Sequence, residues 1–219
     1  MESASQSDNL HNLLNLLRQE GIKDTKVLKA ISQVPRENFI PESEIKYAYE
    51  NRPLPIYYGQ TISQPYTVAF MLSLLDVKPD EKILEIGTGS GYEAALLGEL
   101  GAKVYTVERI PELAEYARKN IEGLNYKVEI LVGDGSLGWE EHSPYDGIVV
   151  SAAAPDIPKS LISQLKEGGN IVIPVGDRFS QKIYHGNKIL SYGKPEMEYN
   201  VYHNFVFVPL IGEEGFDEQ

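Results

Sequence analysis

Ile83-Leu84-Glu85-Ile86-Gly87-Thr88-Gly89-Ser90-Gly91-Tyr92 is the stretch that decides the fold. Its first four residues form a short apolar run interrupted only by Glu85, as in a buried strand, and glycines at alternate positions then end it. The residues after Tyr92 suit a helix. A strand turning through glycines into a helix presents unpaired N–H groups beside backbone that a ligand can approach closely. The plainer alternative is a tight turn with no ligand. Glu108 weighs against it, because it follows the next apolar run (103–107), where a carboxylate would meet a ribose diol held over the first loop.

Outward from this loop, apolar runs at 82–86, 103–107, 128–132, 147–150 and 170–175 alternate with helical segments at 93–100, 111–121 and 159–165. Alternation of this kind predicts an α/β fold: a mostly parallel twisted sheet with helices on both faces. Runs at 182–184, 188–192 and 202–209 have no helices between them and read as antiparallel C-terminal strands. Upstream, Leu10, Leu13, Leu14 and Leu17 follow a candidate cap at Ser7 or Asp8, and Gly21 ends that helix. Asp24 caps a second helix carrying Val27, Leu28 and Ile31. A proline-punctuated stretch (35–65) leads to a third helix at 66–75. The expectation is one domain over 1–219, with an N-terminal helical cap and a loop-rich segment (1–65) and a core with C-terminal strands (66–219).

Composition narrows the function. The 219 residues carry a net charge of −12, which argues against a general nucleic-acid binder and favours a cationic ligand. At 42% hydrophobic and 24% charged the chain is an ordinary globular one, so disorder is excluded as its main state. The absence of cysteine removes thiolate nucleophiles, disulfides and cysteine-bound metals. His11, His142, His185 and His203 show no metal-ligand spacing and read as surface or structural. No apolar stretch approaches the roughly 18 residues of a membrane span. Met1-Glu2-Ser3-Ala4-Ser5 lacks the basic and apolar parts of a leader, so a cytoplasmic protein without membrane or metal is expected.

Two cofactor classes use such a loop. A dinucleotide fingerprint wants glycine at the sixth position, where Tyr92 stands, and Glu85 would repel a pyrophosphate. A cationic amino-acid group would instead be welcomed by Glu85. The G-x-G-x-G form behind an acidic residue resembles the S-adenosylmethionine loop of Rossmann-like methyltransferases. Tyr184-His185-Gly186-Asn187-Lys188 has the spacing of a dehydrogenase Tyr–Lys pair, yet Gly186 and its strand-like flanks predict a hairpin turn there. In Gly133-Asp134-Gly135, Asp134 can accept from an adenine amino group while Gly135 admits the ring; a plain turn is the other reading. Ser151-Ala152-Ala153-Ala154-Pro155 supplies no group to read a nucleobase, which disfavours a base methyltransferase.

Gly59-Gln60-Thr61-Ile62-Ser63-Gln64-Pro65-Tyr66 is the most specific segment. Together with Val34-Pro35-Arg36-Glu37-Asn38-Phe39, the cofactor loop, Val107-Glu108-Arg109, Gly133-Asp134-Gly135 and Phe207-Val208-Pro209-Leu210, it resembles the protein-L-isoaspartate (D-aspartate) O-methyltransferase family over nearly the whole chain. Tyr57 departs from the glycine that many members carry before this motif. The resemblance implies a Rossmann-like S-adenosylmethionine-dependent methyltransferase that methylates the free carboxylate of isoaspartyl residues in proteins and peptides. It implies Ser63 as the active-site residue. Thr61, Glu85, Gly87, Gly89, Gly91, Glu108, Asp134 and Gly135 are expected at the cofactor. Thr61, Ser63, Val175 and Val208 are expected at the substrate, the two valines through main-chain pairing. Thr61 and Ser63 have an alternative as caps of the following helix. A same-fold methyltransferase acting on a small molecule or RNA, and a catalytically silent cofactor-binding module, are the competing functions.

Overall fold

The computed structural model describes residues 6–218; residues 1–5, read above as lacking a leader, lie outside them, as does residue 219. α1 (Gln6–Gln19) buries Leu13 and Leu17, which lie one turn apart on one face. α2 (Thr25–Gln33) starts at Asp24, whose carboxylate accepts from the N–H groups of Lys26 (2.8 Å) and Val27 (3.2 Å). The proline-rich stretch that follows forms two 3-10 turns, then an antiparallel hairpin of β1 (Leu54–Pro55) and β2 (Thr61–Ile62). At the tip of this hairpin the Tyr57 ring stands edge-on to Tyr116, with centroids 4.9 Å apart. α3 (Pro65–Leu75) takes proline in its first turn, where no N–H is missed, and buries Val68, Ala69, Met71, Leu72 and Leu75.

The strands and helices then alternate: β3 (Lys82–Ile86), α4 (Tyr92–Glu99), β4 (Lys103–Glu108), α5 (Pro111–Ile121), β5 (Lys127–Val132), β6 (Tyr145–Val150), α6 (Lys159–Gln164) and β7 (Leu165–Gly176). β8 (Gln181–Ser191) and β9 (Lys194–Phe205) complete a seven-stranded sheet in the order β5-β4-β3-β6-β7-β8-β9. The first five strands in that order pair in parallel, and the last two join antiparallel. Ile83 and Leu84, consecutive on β3, enter two different clusters of buried side chains, the first shared with α1–α5 and the second with α6. A strand covered on both faces is apolar on both, which is why this run does not alternate, with Glu85 as its one buried exception. From β3 the chain steps outward to β4 and β5, then returns to the other side of β3 as β6. That reversal opens a crevice at the C-terminal ends of β3 and β6.

One expectation is corrected. Residues 184–188 do not turn; β8 runs straight through them, pairing His185 with Asn200 and Gly186 with Tyr199. The glycine is there for space, since a Cβ on Gly186 would come within 2.5 Å of the Tyr199 ring. The turn lies at Tyr192 and Gly193, with φ of 49° and 76°, the left-handed pair that a two-residue hairpin needs.

The cap on α2 is separate from the crevice. Asp24→Ala is expected to lower unfolding free energy by about 1 kcal/mol, measured by urea titration, with the crevice left intact.

Candidate active site

The crevice is built around the glycine loop. Gly91 precedes α4 with φ +85°, and a Cβ there would sit 2.8 Å from the Ile121 methyl, so neither the backbone nor the packing of α5 admits a larger residue. The bend encloses a cavity of about 280 Å³ lined by Glu85, residues 86–90, Glu93, Glu108, Gly135, Thr61, Ser63 and Ser151, and closed by Val208, Leu210 and Ile211. Thr88 is tied to Thr106 beneath the loop, hydroxyl to hydroxyl at 2.7 Å.

Glu108 is 5% exposed. One carboxylate oxygen accepts from Gly89 N–H and the other from Ile110 N–H, each at 3.0 Å. Each oxygen keeps a further acceptor site, so the group is held in place and still available to a diol. Two other carboxyls are less satisfied. Glu85 is fully buried and neither of its oxygens has a hydrogen-bond partner. Glu93, 7% exposed, accepts from the Ser151 hydroxyl at 2.5 Å through one oxygen and leaves the other unpartnered. Burial, and then the neighbouring Glu93 and Glu108, push the Glu85 carboxyl well above the ordinary range; Thr106 and the Ala94 N–H pull the other way without closing a hydrogen bond. Burial likewise raises Glu93 to about 7, against the pull of Ser151. Unpaired buried acceptors of this kind are a deficit that a cationic ligand removes. A nucleoside bearing a sulfonium and an ammonium group fits this donor and acceptor set.

A second, more open groove of about 850 Å³ is lined by Pro53, Gln64, Tyr66, His203 and residues 204–207. It shares Thr61, Ser63, Ser151 and Val208 with the first cavity. α3 is preceded by Gln64 without any side-chain cap, and among the described residues nothing bonds the Thr61 or Ser63 hydroxyl. The capping alternative for these two residues is therefore not what the structure uses. The Ser63 carbonyl accepts from Arg36 Nη2 at 2.9 Å.

The sequence model of the family described as protein-L-isoaspartate(D-aspartate) O-methyltransferase matches residues 8–215. The chain belongs to the protein-L-isoaspartate(D-aspartate) O-methyltransferase family. It is 52% identical over 212 residues to the Dictyoglomus turgidum protein-L-isoaspartate O-methyltransferase, covering 94% of this chain and 93% of that one. The Staphylothermus marinus enzyme of the same name is 49% identical over 219 residues, covering 94% and 95%. Among solved structures, a protein-L-isoaspartate O-methyltransferase superposes with a TM-score of 0.81 at 29% identity, covering 94% of this chain and 67% of that chain. A Plasmodium falciparum protein described as a member of the same family, in complex with S-adenosyl-L-homocysteine, gives 0.79 at 27% identity, covering 91% and 97%.

Within this methyltransferase fold, the structure brings Thr61, Ser63, Glu85, Gly87, Gly89, Glu108, Gly135 and Val208 to one cavity, with Gly91 shaping its loop. It does not bring Asp134 or Val175 there. The Asp134 carboxylate is taken up by Ser136, at 2.8 Å from its N–H and 2.7 Å from its hydroxyl, and by the Glu213 N–H at 2.7 Å. Val175 lies inside the sheet, flanked by Lys182 on one side and Ala154 on the other, so it offers no free edge. Two residues escaped the sequence reading. The sequence places Glu93 only as the start of a helical segment, and Ser151 only within a stretch that supplies no group to read a nucleobase. Strand order was the missing signal, because only it sets the end of β6 beside the glycine loop. Among the described residues no group of three or more His, Asp or Glu side chains could hold a metal, and no helix is long and apolar enough to cross a membrane.

Both raised carboxyls bind protons more tightly folded than unfolded. Their contribution to stability is therefore fully present below about pH 4.5, the unfolded value, and is lost as pH rises toward about 7, where Glu93 ionises in the fold. Glu93→Gln is expected to flatten this loss and to be more stable than the parent at pH 8. Urea unfolding of the ligand-free proteins at pH 5 and pH 8 decides it: parallel declines would show that Glu93 is not the titrating group.

Proposed function

We propose that the two chambers divide the protein-L-isoaspartate O-methyltransferase reaction, the cofactor lying over the glycine loop and the isoaspartyl carboxylate arriving through the groove, with Ser63 and Thr61 at the junction. The proposal treats 1–219 as one methyltransferase domain, because one cluster of buried side chains runs from Leu13 to Ile183. Bound S-adenosylmethionine supplies an electrophilic methyl group on a sulfonium. Glu108 would hold the ribose hydroxyls, Glu85 and Glu93 would pair with the ammonium, and Gly135 would leave room for the adenine.

A carboxyl with a pKa of about 4 is already an anion at neutral pH, so the chain need not supply a general base. The hydroxyls of Ser63 and Thr61 donate to the carboxylate and aim one oxygen at the methyl without neutralising it. Positioning of this sort carries most of the rate. The attacking oxygen gains the methyl as the carbon–sulfur bond breaks, so the two opposite charges cancel. The resulting ester is then attacked by the neighbouring backbone nitrogen and expels methanol, closing a succinimide that water can reopen as ordinary aspartate.

Diverse damaged proteins share backbone rather than side chains, so main-chain pairing suits their recognition. Phe207 N–H donates to Gln181, at 2.8 Å, and Val208 C=O accepts from Ala153 N–H, also at 2.8 Å. Exposed Val206 beside them leaves an extended edge over the groove. We place the peptide backbone along 206–208 rather than at Val175. The absence of a base-reading group beside Ser151 supports a protein substrate over a nucleic acid.

The observation that carries this reading is the meeting of both chambers at Thr61, Ser63, Ser151 and Val208. Losing one hydrogen bond to a charged group costs about 1.5–3 kcal/mol, so Ser63→Ala is expected to slow turnover about 10- to 100-fold. Affinity for S-adenosylhomocysteine should stay near that of the parent. Methanol release from an isoaspartyl peptide measures the first and calorimetry the second; undiminished turnover would remove Ser63 from the mechanism. Glu108→Ala is expected to weaken S-adenosylhomocysteine binding by about 1–3 kcal/mol, and unchanged affinity in calorimetry would contradict the ribose assignment.

A further inference from the structure

Arg36 is fully buried, yet it lines neither chamber. It opens the 3-10 turn Arg36–Phe39 and reaches across to the substrate loop, where Nη2 donates to the Ser63 carbonyl at 2.9 Å. Among the described residues Nε and Nη1 close no hydrogen bond. The guanidinium lies over the ring of Tyr92, 5.2 Å from its centroid, and Tyr92 is the residue that follows Gly91 in the cofactor loop. Burial lowers its pKa to about 10, so it remains a cation at neutral pH. Among the described residues no carboxylate forms an ion pair with it, and the adjacent Glu37 is occupied by the Tyr49 hydroxyl.

A buried charge without a counter-charge weakens a fold, and apolar side chains of similar size commonly replace such charges with no loss of stability or with a gain. Packing therefore does not explain why an arginine stands here. The position of its one hydrogen bond does. Ser63 sits between β2 and α3, and the Arg36 bond fixes its backbone there. The same cation lies behind a junction whose cofactor side carries Glu85, Glu93 and Glu108. Among the described residues Arg36 is the one buried cation, and its bond to the Ser63 carbonyl ties it to the loop that forms the junction.

We propose that Arg36 is a positioning residue for methyl transfer: through the Ser63 carbonyl it holds the substrate loop in register, and its unpaired charge favours an anionic carboxylate at the junction. It does not touch the substrate, so the attacking oxygen keeps its negative charge. This inference rests on the assignment of Ser63 to the substrate.

Arg36→Met keeps length and apolar bulk over Tyr92 while removing the hydrogen bond and the charge. The variant is expected to melt no lower than the parent and to bind S-adenosylhomocysteine within about threefold of it. Its kcat/KM for an isoaspartyl peptide should fall about 10- to 100-fold, with KM rising, as loss of a charged hydrogen bond requires. Arg36→Lys keeps the charge without the fork and should fall between the two. Peptide kinetics equal to the parent's in either variant would overturn the proposal. So would a lower melting temperature with cofactor and peptide affinity lost in parallel, the signature of a merely structural role; should the Met variant not fold, the Lys variant is read by the same criteria. If the parent itself fails to methylate an isoaspartyl peptide, the functional reading is what fails. The backbone amide resonance of Gln64, which reports the hydrogen bond at the Ser63 carbonyl, still decides whether Arg36 holds the loop.

Discussion

The site depends on an electrostatic imbalance created by burial. Glu85 is carried inward by a strand covered on both faces, and Glu93 by the first turn of the helix that the glycine loop opens. Glu108 ends the neighbouring strand in the same crevice. Among the described residues nothing hydrogen-bonds Glu85 or the free oxygen of Glu93. In water such groups would be harmless; enclosed, they hold protons or await a cation. The glycine bend, the second layer of threonines and the serine on Glu93 all serve to keep these acids in place while leaving them incompletely satisfied.

In the proposed reaction that imbalance would also separate the two reactants. A chamber walled by buried acids favours a sulfonium-bearing nucleoside and is a poor place for a free carboxylate. The open groove on the other side of Ser63 is wider and is bordered by an exposed extended segment. The two environments touch over only a few residues, where a donor hydroxyl can orient an anion. Such an arrangement suits a reaction in which opposite charges approach and cancel, because neither chamber has to stabilise both.

Much of this was legible in the sequence for local reasons. The run from Ile83 to Tyr92 carries its own strand, bend and helix, and Pro65 and Pro111 mark helix starts where the structure has them. Glu108 could be placed because it ends the next strand, and adjacent parallel strands finish side by side. What escaped was decided by tertiary arrangement. Ser151 gains its meaning only when β6 returns next to β3, and Asp134 is withdrawn from the cavity by Glu213, which lies far along the chain. Gly186 was read as a turn because glycine relaxes backbone; it is present instead to admit the Tyr199 ring, a requirement set by the opposite strand.

The cavity draws its walls from Gly59 at one extreme and Ile211 at the other, with Leu210 and Ile211 laid across the glycine bend after the last strand of the sheet. During synthesis, the strands and helices that hold the loop are therefore all made before the segment that closes it. A nascent chain can acquire its sheet and still lack a complete ligand pocket until residues 208–211 have emerged from the ribosome. Completion of the pocket is thus tied to the segment after the last strand of the sheet, and a chain cut short within the sheet would lack the wall formed by Val208, Leu210 and Ile211.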